Sequence, residues 1–138
     1  MNALAGHKRP LHTIIPAFMA KDDIKIAFGI MGGWNQAQAH AQFVANVVDF
    51  GMNIQSAIEA ARFRKSTFEG CDLQIEARVP ASVRAQLESM GHKLEVCGEF
   101  SPVMGGGQAV MRNFSIGVNF GGSDPRKDGA AIPEPVKK

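Results

Sequence analysis

At 138 residues the chain is long enough for one domain with a core and too short for two. Apolar residues make up 45%, which argues against disorder, while a net charge of +2 with both signs mixed, no Tyr and nine Phe at core-like positions exclude a basic nucleic-acid stripe. No apolar run is long enough to span a bilayer and the first ten residues lack a signal-peptide core, so the chain reads as cytoplasmic; a periplasmic or secreted setting stays open if it derives from a longer exported precursor.

Residues 1–10 read as an irregular lead-in, and residues 12–20 as a strand interrupted near Pro16, which cannot donate to a ladder. Lys21-Asp22-Asp23 is a polar turn, and residues 24–30 return as a buried strand, giving a hairpin. Met31-Gly32-Gly33-Trp34 then separates this strand from a helix over residues 35–50. Ala37, Ala41, Val44, Val47 and Val48 form the predicted inward stripe of that helix. Gly51 stops it. Asn53 caps a second helix over residues 54–63, with Ile54, Ala57, Ile58 and Ala61 inward.

Residues 73–76 are a short strand. Pro80 opens a third helix at its first turn, with Val83, Leu87 and Met90 as its apolar face and Gly91 as its stop. Residues 93–96 are another strand. Gly105-Gly106-Gly107 leads into a strand over 108–111, Asn113-Phe114 turns the chain, and residues 115–120 pair back. Residues 121–138 read as loop and Pro-rich tail, with Lys137-Lys138 a small terminal basic cluster. The order β-β-α-α-β-α-β-β-β predicts one α+β domain over residues 1–138, an antiparallel sheet with helices on one face.

The Gly32-Gly33 turn carries the clearest chemical signal. Paired glycines let the backbone pass close to a bound group and aim N–H donors at it, and such donors can hold the oxygen of a tetrahedral acyl intermediate. The same pair also serves as an ordinary tight connection. None of the four histidines forms a paired-ligand pattern, and Cys71 and Cys97 match no metal or redox spacing, so neither metal nor cofactor is expected. The cysteines read as reduced, buried thiols, with a single disulfide as the alternative. His40 falls beside the apolar stripe of the first helix as a partly buried imidazole. His12 precedes a strand residue that faces the region of the glycine turn. Ser123-Asp124-Pro125-Arg126 reads as an Asx-type turn with an exposed ion pair, and Gly105-Gly106-Gly107-Gln108 lacks the lysine and following helix of a phosphate loop.

Taken together, the residues resemble the light-subunit core of the gamma-glutamyltransferases (gamma-glutamyltranspeptidases). The resemblance runs in order through Lys8-Arg9-Pro10-Leu11, Pro16, Gly29-Ile30-Met31-Gly32-Gly33, Gly51-Met52-Asn53, Ala57-Ile58-Glu59-Ala60 and Arg62-Phe63. It continues through Met104-Gly105, Gly107-Gln108-Ala109-Val110-Met111, Gly117 and Gly122-Ser123-Asp124-Pro125-Arg126. It implies part of an N-terminal-nucleophile hydrolase with an αββα sandwich, in which a threonine freed by self-cleavage attacks a gamma-glutamyl amide. It implies that Gly32 and Gly33 form the oxyanion hole. Where the family commonly has a Ser-Ser pair binding the glutamyl carboxylate, this chain has His12-Thr13. Thr13 keeps a hydroxyl, His12 changes the donors, and the pair fits a divergent branch with acylase-like preferences. The nucleophilic threonine should lie upstream of Lys8.

Three readings follow. The chain supplies the oxyanion-hole part of a transferase or hydrolase acting in glutathione-type chemistry, completed by a complementary gamma-glutamyltransferase segment and inactive alone. Alternatively it is a non-catalytic module whose exposed sheet makes it a homo-oligomer or binds a partner. Or its glycine amides bind a small carboxylate or phosphate without chemistry.

Overall fold

Two apolar runs broken by a pair of aspartates fold back on each other in the computed structural model, which describes residues 3–67 and 69–135. The Lys137-Lys138 cluster lies outside the described residues. Strand β1 (Ala17–Lys21) and strand β2 (Ile24–Met31) pair antiparallel, with Lys21 opposite Ile24. This leaves Asp22-Asp23 as a two-residue turn, with Asp22 at φ 50, a conformation that aspartate tolerates better than most residues. The first strand is shorter than predicted. Pro16, which lacks an N–H, precedes its first paired residue, and residues 12–16 stay outside the ladder.

Past β2 the glycine pair leads into a 3-10 turn, Gly33–Asn35, and helix α1 (Gln36–Val48). Its buried face is Ala39 and Phe43, supported by Val44 and Val47. Ala37, Ala41 and Val48 face solvent, so the predicted stripe is rotated. The bulkiest side chain decides the orientation: Phe43 packs on Phe28 with ring centroids 4.6 Å apart.

Gly51, at φ 65, ends this segment. Helix α2 (Ile54–Glu59) is capped by Asn53, whose side-chain oxygen accepts from Ser56 N at 2.9 Å, and buries Ile54, Ala57 and Ile58. It ends before residue 63, because Phe63–Arg64 extends as a two-residue strand, β3.

Strand β4 (Asp72–Glu76), helix α3 (Ala81–Ser89) and strand β5 (Lys93–Cys97) form a crossover with β4 and β5 parallel. An all-antiparallel arrangement did not anticipate this pair. Pro80 is the N-cap of α3 rather than its first helical residue, and no residue of α3 is buried. Val83 and Met90 are exposed and Leu87 is half-buried, so the predicted apolar face of α3 is largely open.

A second 3-10 turn, Pro102–Met104, precedes strands β6 (Gly106–Asn113) and β7 (Val118–Ser123). The last two of the three consecutive glycines therefore begin a strand instead of a loop. Residues 115–117 belong to the connecting turn, where Asn113 Oδ1 accepts from Ser115 N at 3.1 Å. β7 runs three residues past the predicted edge of the tail.

The strands form an antiparallel sheet in the order β1-β2-β6-β7 and a smaller sheet β3-β4-β5. Helices α1 and α2 cover one face of the larger sheet, and Ile26, Phe28, Ile30 and Ala109 meet Ala39, Phe43, Ile54, Ala57 and Ile58 there. The opposite face carries Phe18, Met31 and Val110, all exposed. Cys71 is exposed rather than buried, Cys97 is half-buried, and both are free thiols. Among the described residues no helix is long and apolar enough to cross a membrane.

Candidate active site

Gly32 and Gly33 adopt φ 153 and φ 58, conformations that side chains disfavour, and so turn β2 sharply into α1. Their carbonyls are used: Gly32 O accepts from Asn35 N at 3.1 Å, and Gly33 O accepts from Gln36 N and, at 3.2 Å, from Gln36 Nε2. Among the described residues neither Gly32 N nor Gly33 N donates a hydrogen bond. Gly32 precedes and Gly33 opens a continuous 3-10 and α-helical segment, where backbone donors are left over and the helix dipole favours negative charge.

Both glycines line a cavity of about 670 Å³ on the uncovered face of the larger sheet. Its other walls are residues 13–17, residues 27–31 of β2, and Gly106, Gln108, Ala109 and Val110 of β6. Among the described residues no charged side chain lines it, so the backbone amides are the fixed electrostatic feature beside the polar groups of Thr13, Gln36 and Gln108. Thr13 lines the cavity close to Gly33. Its carbonyl accepts from Gln36 Nε2 at 2.9 Å, so the Gln36 amide bridges the Thr13 and Gly33 carbonyls. His12 is exposed and is not among the residues lining the cavity. The structure thus brings Gly32, Gly33 and Thr13 to one cavity and leaves His12 just outside it.

Three supports hold this turn. Gly105, at φ 81, lies directly behind it: a Cβ there would meet the Met31 carbonyl oxygen. On α1, His40 Nε2 accepts from Ile30 N at 2.8 Å. Burial holds this imidazole below its ordinary pKa. Asn35 is buried behind Gly32, and neither polar atom of its carboxamide has a hydrogen-bond partner among the described residues.

The third support is a buried ionic cluster. Asp124 Oδ2 accepts from Gly107 N at 2.9 Å, and Gly107 pairs with Ile30. Arg62 meets Asp124 at 2.8 Å, and Arg126 meets Asp124 at 3.0 Å and Glu76 at 2.6 Å, with all of these side chains nearly or fully buried. The Ser123-Asp124-Pro125-Arg126 segment does make an Asx turn, with Asp124 Oδ1 accepting from Arg126 N at 3.0 Å. Its ion pair is buried, contrary to the exposed pair expected from sequence, because the arginine also caps the carbonyls of Ile58 and Ala60 at the end of α2. Burial raises the Glu76 pKa, but hydrogen bonds from Arg126, Arg62 N and Ser101 N, with the Arg126 charge, outweigh it and leave the group below its ordinary value. Burial likewise lowers the Arg126 pKa and is outweighed by Glu76 and Asp124, for a net rise.

The gamma-glutamyltranspeptidase family model matches residues 1–134. The chain belongs to the gamma-glutamyltranspeptidase family. It is 35% identical to the glutathione hydrolase-like YwrD proenzyme of Bacillus subtilis (strain 168), over 96% of this chain and 26% of that protein. It is 34% identical to the oxamate amidohydrolase proenzyme of Klebsiella pneumoniae subsp. pneumoniae, over 94% of this chain and 25% of that protein. Among solved structures, cephalosporin acylase from Bacillus halodurans superposes with a TM-score of 0.79 at 40% identity, covering 93% of this chain and 24% of that one. The chain therefore spans about a quarter of the length of the curated relatives it matches. The fold is accordingly α+β and part of an N-terminal-nucleophile hydrolase, as the resemblance implied. Gln36, Glu76 and the acceptor role of His40 escaped the sequence reading. Gln36 alone carried a local signal, as a polar residue in the first turn of a helix directly after a glycine pair.

Proposed function

We propose that this chain supplies the oxyanion-hole part of an acyl-transfer site acting on gamma-glutamyl or related acyl amides. Gly32 N–H and Gly33 N–H are the donors, and Thr13 forms the end of the pocket that receives the acyl group's carboxylate, with His12 adjoining it from outside the cavity. The observation that carries this reading is a pair of unspent backbone donors at a helix N-terminus, lining one cavity with Thr13. The attacking threonine comes from a complementary segment of a gamma-glutamyltransferase-like protein. That segment covers the uncovered sheet face, where Phe18 is 65% and Val110 57% exposed. Its relatives include a glutathione hydrolase-like protein, an amidohydrolase and acylases, so the acyl donor need not be glutathione.

The test is a titration of the isotope-labelled chain with glutarate, a dicarboxylate the size of the glutamyl group, followed through the Gly32 and Gly33 amide resonances. Saturable shifts at both amides are expected. Flat resonances at both overturn the reading. The chain alone is expected not to hydrolyse a gamma-glutamyl anilide; turnover by the pure chain that disappears in Gly33→Val would place the nucleophile here after all. The exposed sheet face also favours self-association when no complementary segment is present. Sedimentation showing a monodisperse monomer across micromolar concentrations would remove that second reading.

A further inference from the structure

The last residues of β2 are held from two sides. Gly107 pairs with Ile30 from β6, and Asp124 fixes Gly107 in turn. On the other side β1 has already ended, since its final pair is Ala17 with Phe28. The Ile30 N–H is met there by a side chain instead of a strand: His40 Nε2, at 2.8 Å. An imidazole nitrogen that accepts from an amide must be unprotonated, so His40 carries its proton on Nδ1 and is neutral. Two residues after Ile30 comes Gly32.

We propose that neutral His40 is a positioning residue for the glycine turn, fixing the direction of the Gly32 and Gly33 donors through Ile30 and releasing them when it is protonated. The proposal rests on the oxyanion reading for its functional consequence, and on the His40–Ile30 geometry for its mechanism. A protonated ring has only donors and cannot accept from Ile30 N. The Ile30 amide then loses its partner in a part-buried setting, and the turn it anchors loosens.

The surroundings agree. Phe28 of β2 presents its ring at 70° to the imidazole, with centroids 5.3 Å apart. On α1, Gln36 lies one turn earlier with its amide committed to Thr13 and Gly33, and Val44 lies one turn later. Among the described residues, no titratable or charged group on α1, β2 or β6 is a cause of the His40 shift; burial lowers it, and the Ile30 N–H held by Nε2 favours the neutral ring in the same sense. Trp34, the single tryptophan of the chain, adjoins Gly33 and is 89% exposed, so it reports on the turn.

The test is an acid titration of the labelled chain from about pH 8 to about pH 5, following the His40 ring, the amides of Ile30, Gly32 and Gly33, and Trp34 fluorescence, with glutarate as the anion probe. The three amides and Trp34 are expected to move with the His40 midpoint while β7 amides stay fixed. His40→Gln, whose Oε1 can accept from Ile30, should keep the neutral-pH turn and lose the midpoint. His40→Leu should weaken glutarate binding about five- to tenfold at neutral pH, the size of one net hydrogen bond. Amides that stay flat while the His40 ring titrates overturn the proposal, as does a folded His40→Leu chain that binds glutarate like the parent. Amides that follow His40 in a chain that never binds glutarate uphold the positioning and overturn the oxyanion reading.

Discussion

Replacing Glu76 by Gln changes one atom, yet it should remove a large share of the stability of the fold. Oε1 of Glu76 accepts from Ser101 N at 3.0 Å and Arg126 Nε at 2.7 Å. Oε2 accepts from Arg62 N at 2.9 Å, Arg126 Nη2 at 2.6 Å and Arg78 Nη2 at 3.1 Å. A glutamine amide must place its NH2 at one of these two positions, and either choice aims donors at donors. The Arg126 guanidinium also loses half of its buried countercharge, since Asp124 holds only its Nη1 side. Breaking a buried pair from one side costs about 3–5 kcal/mol, against a total of about 5–15 kcal/mol for a domain. With a urea dependence of about 1–3 kcal/mol per molar, the unfolding midpoint of Glu76→Gln should fall by about 2 M. Circular dichroism in a urea series measures this directly. A midpoint within about 0.5 M of the parent would show that the cluster adds little net stability and that its geometry is not what holds β6 against β2.

Other expectations follow from single contacts. Gly105→Ala should destabilise by more than about 2 kcal/mol in the same urea assay, because residue 105 sits at φ 81 and its Cβ would meet the Met31 carbonyl. Asn53→Ala should cost about 1 kcal/mol, since it removes the acceptor for Ser56 N at the start of α2. Asn35→Ala should leave stability within about 0.5 kcal/mol, because the carboxamide has no hydrogen bond to lose. Acid should weaken the fold in two stages, seen in urea midpoints taken against pH. Folded His40 binds its proton less readily than the unfolded chain, so its share of stability is complete above the ordinary histidine range and is lost as pH falls through its lowered value. Glu76, also lowered, contributes fully above the ordinary glutamate range and fails at lower pH still.

What the sequence disclosed was local. Asp22-Asp23 between two apolar runs specifies a hairpin, Asn53 specifies a cap, and Gly51 specifies a stop, because each acts on its own neighbours. The glycine pair was legible for the same reason: its unusual backbone and unspent donors arise within four residues. The orientation of α1 was not legible, because an alanine-rich helix offers several stripes and only the tertiary contact of Phe43 with Phe28 selects one. The environment of Asp124 and Arg126 was misread because an Asx turn looks the same exposed or buried, and Glu76 lies 50 residues from the arginine that neutralises it. His40 could be placed beside the core by spacing, but its acceptor role required β1 to end before Ile30.

Arg126 caps carbonyls 66 and 68 residues earlier in the chain. During synthesis, the end of α2 and the Glu76 carboxylate therefore leave the ribosome long before their guanidinium exists. Closing so long a loop is entropically costly before its contacts form, so this clasp is expected to form on the native side of the folding barrier. Its expected effect is to slow opening rather than to speed assembly. Clipping the chain just before residue 126 should thus yield a species that still collapses at a normal rate but lives only briefly once folded.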